Sequence, residues 1–118
     1  MRHRVKNKRL GRSQDHRKAV LRNLTTSLFI EKKVRTTKAR AKELSRFADK
    51  IFTSFRKKDL ANGIRFLKTI FTNKESSKSF IELNDKLSNV KAGFTRITSI
   101  GFRPGDSSEI VQVEFCKK

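Results

Sequence analysis

Apolar residues recur at helical spacing in the segment that begins at about residue 14. A first stripe predicts a helix over about residues 14–30, with Ser13 as its N-cap and Asp15 in its first turn, where the helix dipole favours an acid. The apolar positions of this stripe are Ala19, Val20, Leu24 and Leu28, with Leu21 at its side. Residues 31–37 are charged and partly β-branched, so they predict a short edge strand whose lysines discourage pairing with other chains.

The clearest helix is predicted over residues 38–57, with Thr37 as its N-cap. Its apolar residues follow i, i+3, i+4, i+7, i+8 and i+11 without a break, which is the spacing of one buried face. These residues are Leu44, Phe47, Ala48, Ile51, Phe52 and Phe55, and the opposite face carries Lys42, Arg46, Lys50 and Arg56. We therefore expect the apolar set to face the core, and Lys42 and Arg46 to lie closer to a charged partner.

Two shorter helices are predicted next. Asp59 can cap a third helix, and Asn73 can cap a fourth that has Glu75 in its first turn. The third helix repeats the apolar stripe at Leu60, Ile64, Leu67 and Phe71, despite the weak helix formers Asn62 and Gly63. The fourth helix carries Phe80, Leu83 and Leu87 on one side.

Strand patterns replace helical ones after residue 93. Residues 94–100 are rich in Thr, Ile and Phe, and residues 109–115 alternate, with valines and a phenylalanine on one face. Between them, residues 103–106 (RPGD) place Pro and Gly at the centre of a turn, which is the chemistry of a type II turn. The predicted fold is α+β, with about four helices, a small, mostly antiparallel three-stranded sheet and a basic N-terminal arm.

The distribution of charge changes this picture at the N-terminus. The 118 residues include 30 Lys and Arg against 11 Asp and Glu, a net charge of +19, and residues 1–42 hold 15 of those cations with only two acids. Such self-repulsion requires a polyanion as partner. Residues 1–12 contain six cations and no acid, so we predict a basic RNA-binding arm there that folds on binding, followed by a single domain at residues 13–118.

The sequence predicts no catalytic motif, no metal site and no membrane span. His3 and His16 are 13 residues apart and Cys116 is the single cysteine, so neither a zinc site nor an intrachain disulfide is expected. The glycine-rich phosphate loops and the nucleophile elbow are absent. The longest apolar runs are three residues, so we expect no membrane span and no secretory signal. We predict no enzyme, no catalytic residue, no metal, no cofactor and no homo-oligomer.

Three segments in chain order carry a resemblance to a known family. Residues 1–4 (MRHR), with LGR at 10–12 and HR at 16–17, resemble the opening of the bacterial large ribosomal subunit protein seventeen family. Residues 34–44 (VRTTKARAKEL) resemble its signature, and residues 93–97 (GFTRI) with 101–106 (GFRPGD) resemble its C-terminal hairpin. Ala92 and Phe94 depart from the pattern, because they stand where the family often has Gly and Tyr.

The resemblance implies a structural protein of the cytoplasmic large ribosomal subunit that supports assembly and translation. It also implies a place near the outer mouth of the nascent-peptide tunnel, with large-subunit rRNA and neighbouring ribosomal proteins, including large-subunit protein thirty-two, as partners. The residues themselves support the mechanism, since Lys and Arg neutralise phosphates and release counterions. The predicted rRNA-binding residues are Arg2, His3, Arg4, Lys6, Lys8, Arg9, Arg12, His16, Arg17, Arg22, Arg35, Thr36, Thr37, Lys38, Lys42 and Arg96.

Two other classes of protein share the high positive charge. A DNA-binding nucleoid-type protein is the first alternative, although no helix groups base-reading Asn, Gln and Arg at its start. A cationic membrane-surface protein is the second, and residues 38–57 have the required amphipathic form. That helix, however, needs its apolar face for the core, which argues against the membrane.

Deletion of residues 1–12 tests the arm directly. It removes six cations but no periodic apolar position, so the domain should keep its helix content while RNA binding weakens as salt rises. If most of the six contact phosphates, the slope of log affinity against log salt becomes shallower by about 3–5 units. Alanine at Arg35 and Lys38 should change it by about 1–2 units. An unchanged slope, measured with an rRNA fragment beside circular dichroism, would reduce the arm to a solvated tail.

Overall fold

Four helices and three strands follow the order that the sequence predicts. The structure, a computed structural model, describes residues 14–71 and 73–116. Its elements are α1 (Gln14–Glu31), β1 (Lys33–Thr37), α2 (Lys38–Arg56), α3 (Leu60–Ile70), α4 (Lys74–Lys86), β2 (Thr95–Phe102) and β3 (Glu109–Phe115). The α+β class is therefore confirmed. The arm at 1–12 and the Ser13 cap lie outside the described residues.

The three strands form one antiparallel sheet with β3 in the middle. The order is β1-β3-β2, and Lys33 and Arg96 both lie opposite Glu114. The prediction that the segment 31–37 forms an edge strand is confirmed, although α1 extends to Glu31 and the strand begins at Lys33. Lys32 lies between them with a φ of 71°, a left-handed conformation that ends the helix.

The hairpin loop corrects the predicted turn. A type II turn needs a positive φ at Gly105, but the positive φ in this loop belongs to Ser107, at 58°. Ser107 N–H donates to the Arg103 carbonyl over 2.9 Å, and Arg103 N–H donates to the Ser108 carbonyl over 2.8 Å. The loop is therefore a wider, six-residue connection. Asp106 stabilises it, because its carboxylate accepts from Arg103 Nη2 at 2.6 Å and from Ser108 N–H at 3.1 Å.

Phe29 of α1 lies at the centre of the core. Its ring centroid is 4.8 to 5.7 Å from four other rings, those of Phe52, Phe71, Phe80 and Phe115. These rings belong to α2, the end of α3, α4 and β3, so one side chain of α1 contacts every layer of the fold. The distances and tilted or edge-on geometries match the favourable arrangements of aromatic pairs.

The buried face of α1 differs from the predicted stripe. Leu21, Leu28 and Phe29 are buried together with Thr25, whereas Ala19 is exposed. The threonine can be buried because its hydroxyl donates to the Leu21 carbonyl at 2.7 Å, which satisfies its polar group inside the helix. Because a stripe drawn from apolar residues alone omits Thr25, the predicted buried face of α1 is rotated relative to the observed one.

The stripe predicted for α3 is also corrected. Leu67 and Phe71 are buried as expected, but Leu60 is 67% exposed and Ile64 is 37% exposed. The helix turns Gly63 toward α2 instead, and a Cβ at that position would lie 2.7 Å from Cε2 of Phe55. The absence of a side chain at Gly63 therefore sets how closely α3 approaches α2.

The core face of α2 is confirmed at its centre and corrected at its margins. Leu44, Ala48, Ile51 and Phe52 are fully buried, whereas Phe47 and Phe55 are half-buried against the core. Arg56, predicted for the opposite face, turns inward. Its guanidinium donates to Asn84 Oδ1 at 3.0 Å, to the Leu87 carbonyl at 2.7 Å and to the Val90 carbonyl.

Arg56 thereby ties α2 to the segment that follows α4. Its guanidinium carbon also lies 4.8 Å from the ring centroid of Phe94, and that ring stacks on Phe52 at 4.4 Å. Phe94 is therefore a core residue that precedes β2, although the sequence places it inside the strand. Asp49 Oδ1 accepts from the Phe94 N–H at 3.2 Å, and burial of that carboxyl raises the pKa of Asp49.

The helix caps follow the predicted positions. Asn73 precedes α4, and its side-chain oxygen accepts from the Ser76 N–H at 2.9 Å. Thr37 and Asp59 occupy the N-cap positions of α2 and α3 in extended conformation, but neither side chain makes a capping hydrogen bond. Phe80 and Leu87 of the fourth stripe are buried and Leu83 packs against the core, so the predicted face of α4 is confirmed.

Truncation of two phenylalanines tests the placement of the core. Phe29→Ala removes a ring that is completely buried and contacts four others, so it should cost about 3–5 kcal/mol of unfolding free energy. Phe47→Ala, the matched control, removes a half-buried ring and should cost about 1–2 kcal/mol. Urea denaturation of the full chain measures both. Equal costs would contradict this core, and Phe29→Leu against Phe47→Leu gives the same ranking if the alanine variant does not fold.

Candidate nucleic-acid interface

Two surfaces of the described residues carry cationic side chains from the predicted binding set. The first is the outer face of the sheet together with the junction of β1 and α2. The second is the groove between α1 and α2.

The outer face of the sheet carries three cations around one acid. Val34 packs against the core, so the alternation of the strand turns Lys33 and Arg35 the other way, and both are exposed. The register aligns Lys33, Glu114 and Arg96 in one row across the three strands. Arg35 stands in the next row, opposite Gln112 of β3. The face therefore presents Lys33, Arg35 and Arg96 to solvent at fixed spacings.

Ion pairs fix two of the predicted binding residues. Arg96 Nη2 lies 2.7 Å from Glu114 Oε1, and the hydrogen bond and charge of this carboxylate raise the pKa of Arg96. Lys38, the first residue of α2, lies with its Nζ 3.5 Å from Glu109 Oε2 of β3. Both cations are more than half exposed, so they remain able to contact phosphate while their carboxylate partners orient them.

The arginine of the hairpin loop forms its ion pair within the loop. Arg103 Nη2 bonds Asp106 Oδ2 at 2.6 Å, and this partner lowers the pKa of the Asp106 carboxyl well below its usual range. The neighbouring Phe102 is 73% exposed, with Ile100 and Ile97 also exposed on the same hairpin. Phe94, which precedes the same strand, is by contrast buried in the core.

The groove between α1 and α2 has charged walls and an apolar floor. Its cavity of about 570 Å³ is lined by Arg17, Lys18, Leu21, Arg22, Glu43, Arg46, Phe47, Lys50 and Ile70. Glu43 is 3% exposed, and it pairs with Arg17 of α1 at 3.2 Å and with Arg46 of α2 at 3.7 Å. Arg22 Nε donates to the Ile70 carbonyl at 3.2 Å. The arginines of the two walls are thus held in place by a buried carboxylate and a backbone carbonyl.

The predicted binding residues separate between these surfaces. Arg17 and Arg22 line the groove, whereas Arg35, Lys38 and Arg96 belong to the sheet and the β1–α2 junction. The remaining described members are His16 and Lys42, which are exposed, and Thr36 and Thr37, which are half-buried. The members at 2–12 lie outside the described residues.

Thr36 is placed differently from its neighbours. It lies opposite Val111 in the register, on the face of the sheet that packs against the helices. Thr37 marks the start of α2. Both threonines are therefore half-buried within the fold, whereas the cations beside them are exposed.

Sequence reasoning left several charged residues out of the predicted site. Lys33 shares the outer face with Arg35, and period-two alternation along β1 was the available signal. Lys18 and Lys50 line the groove, but they come together only when α1 packs against α2. Glu43 sits in the same groove, and its burial could not be inferred from a helical stripe of apolar residues.

The described part of the chain contains neither a candidate metal site nor a candidate membrane-spanning helix. Within 14–71 and 73–116, no group of three or more His, Cys, Asp or Glu side chains could hold a metal ion. Among the helices of the same residues, none combines the length and apolar character that crossing a bilayer requires.

Comparison with known proteins identifies relatives over most of the chain. The model of the family described as ribosomal protein L17 matches residues 20–116. A protein of Desulfosudis oleivorans is 38% identical over 97% of this chain and 55% of its own length. One of Desulforapulum autotrophicum is 37% identical over 97% of this chain and 95% of its own, and one of Staphylococcus epidermidis is 38% identical over 91% and 96%. All three are named large ribosomal subunit protein bL17.

The small α+β fold, with cations fixed on a sheet face and in a helical groove, defines a nucleic-acid-binding structural protein. The chain belongs to the ribosomal protein L17 family. It is accordingly a non-enzymatic constituent of the bacterial large ribosomal subunit in the cytoplasm, where it assembles with rRNA and other ribosomal proteins. The DNA-binding alternative is not favoured.

Glu114→Gln tests whether the sheet face contacts RNA. The substitution removes the charge that pairs with Arg96 and should let this arginine contact a phosphate fully. We expect tighter binding of an rRNA fragment and a slope of log affinity against log salt that is steeper by about 0.7–0.9. The matched control is Glu82→Gln, which makes the same charge change at an exposed position of α4. Equal effects of the two variants would mean that net charge alone is responsible.

Proposed function

We propose that the domain binds large-subunit rRNA through the outer face of its sheet and the β1–α2 junction. The observation that carries this proposal is the pair of rows across the sheet, where Lys33, Arg35 and Arg96 stand at fixed spacings with Lys38 beside them. Phosphate groups are the RNA feature that such a pattern fits, because Arg and Lys neutralise them and release counterions. Membership in a ribosomal protein family supports rRNA as the polyanion.

The basic arm extends this contact along the RNA. In this proposal, residues 1–12 form the arm and residues 13–118 form one domain that fixes its position. Six cations in twelve residues supply charge at high density. The proposed rRNA-binding set is the one predicted from the sequence. Of its described members, Arg17 and Arg22 lie in the groove, whereas Arg35, Lys38 and Arg96 lie on the sheet face and at the β1–α2 junction.

A neighbouring ribosomal protein covers part of the remaining surface. We propose large-subunit protein thirty-two as one neighbour, at a position near the outer mouth of the peptide tunnel, as the family resemblance implies. The exposed side chains of Ile97, Ile100 and Phe102 support a protein contact on the hairpin, since apolar surface of this kind is typical of protein interfaces. The chain itself acts as a single copy.

A triple charge variant tests the rRNA-binding face. Lys33→Gln, Arg35→Gln and Arg96→Gln together remove three charges from the sheet, and the slope of log rRNA affinity against log salt should become shallower by about 2–3 units. Cosedimentation of the tagged full chain with large subunits, after digestion of DNA, should fall in parallel.

The matched control removes the same charge from another surface. Lys57, Lys58 and Arg65 lie around the α2–α3 connection, and their replacement by Gln should leave both measurements near those of the unmodified chain. If the control loses as much as the sheet variant, binding depends on total charge and the proposed face is wrong. If the tagged chain no longer sediments once DNA has been digested, the DNA-binding alternative is supported instead.

A further inference from the structure

We propose that the groove between α1 and α2 receives one unpaired nucleotide of the bound RNA, with its base against Phe47 and its phosphate among the arginines of the walls. The inference rests on the proposed function, because it takes rRNA as the ligand. It goes further by naming a site for a base, which a phosphate-binding surface does not provide.

The size of the groove suits a small ligand. Its volume of about 570 Å³ lies within the range of about 300–1,000 Å³ that is typical of small-molecule sites. Leu21 and Ile70 are buried at its floor, and Phe47 is the half-buried aromatic side chain that reaches the cavity. A flat apolar ligand can therefore cover the part of Phe47 that the core leaves exposed.

The charges of the groove select an anion. Five cations line the cavity from its two walls, namely Arg17, Lys18 and Arg22 on α1 with Arg46 and Lys50 on α2. The acid in the lining is Glu43, whose two carboxylate oxygens each pair with an arginine. The groove therefore keeps a positive excess, and its arginines can bind phosphate in the bidentate manner.

Glu43 acts in this site as a positioning residue. A buried carboxylate is stable only when it is paired, and here its partners come from opposite walls of the groove. Arg22 is held independently by the Ile70 carbonyl. The guanidinium groups thus have fixed positions before RNA arrives, which lowers the ordering cost of binding.

A nucleotide is the ligand that matches an aromatic floor beside fixed arginines. Single-stranded bases stack on aromatic rings, while their phosphates pair with Arg. An acidic peptide would satisfy the charges but offers no equivalent flat surface for Phe47. We therefore assign the groove to RNA and treat a peptide as an outcome of the test.

The experiment compares two single-stranded probes with the full chain by fluorescence anisotropy. One is hexa-adenylate, and the other is an abasic strand with the same number of phosphates. Stacking of one base should give hexa-adenylate an affinity about 5- to 140-fold higher than that of the abasic strand. Phe47→Leu should remove most of this preference and leave the abasic affinity unchanged, whereas Phe47→Tyr, which keeps the ring, should retain it.

The matched control is Phe66→Leu. Phe66 is also half-buried and lies beside cations, with Lys58 Nζ 5.3 Å from its ring centroid, but it belongs to α3 and does not line the groove. This variant should keep the base preference. Thermal unfolding followed by circular dichroism checks that all variants are folded.

The possible failures separate the groove from the proposed function. If the unmodified chain binds both probes equally and with strong salt dependence, RNA binding holds and the groove assignment is overturned. Equal losses in Phe47→Leu and Phe66→Leu would also overturn it. If neither probe binds, the proposed function itself fails. An acidic peptide that binds with the same dependence on Phe47 would reassign the groove to a protein segment.

Discussion

Seven phenylalanine rings in mutual contact join the helices to the sheet. They come from α1, α2, the end of α3, α4, the residue before β2 and the end of β3, and Phe29, Phe52 and Phe80 each contact four others. Each such ring buries about 150–250 Å², so a few positions supply much of the core. This matters because only 35% of the residues are hydrophobic. The aromatic cluster therefore leaves most surface positions available for charge.

The few acids have a corresponding role at the surface. Three ion pairs join different elements, linking Arg17 to Glu43, Lys38 to Glu109 and Arg96 to Glu114. Each pair holds a cation in one place and relieves repulsion between elements of a chain with a net charge of +19. The two pairs with an exposed cation, Lys38–Glu109 and Arg96–Glu114, add little stability by themselves. Their effect is to orient the cations.

Much of the fold follows from local patterns in the sequence. The order of the elements, the cap at Asn73 and the alternation of β3 depend on neighbours in the chain, and periodicity captures them. The faces of α1 and α3 do not follow in the same way. Thr25 can be buried because its hydroxyl donates a hydrogen bond within its own helix. Gly63 faces α2 because the Phe55 ring leaves no room there for a Cβ. Both reasons involve contacts that a hydrophobic stripe does not represent.

The candidate site shows the same division. Arg35, Lys38 and Arg96 are accessible to sequence reasoning, since strand alternation and helix starts fix their direction. The groove is not accessible, because Arg17 and Arg46 are 29 positions apart and meet through the buried Glu43. Arg56 illustrates the opposite error, since a cation on a predicted polar face turns inward to bond the carbonyls after α4.

Charge and shape are thus supplied by different parts of the molecule. A basic segment can neutralise phosphates anywhere along RNA, and such contacts carry no sequence information. A particular position on rRNA requires rigid features at known distances from one another. Under the proposed function, these features are the rows of cations on the sheet and the paired arginines above the apolar floor of the groove. The aromatic core keeps both surfaces in register, so loss of a buried ring would weaken placement on RNA even where every cation is retained.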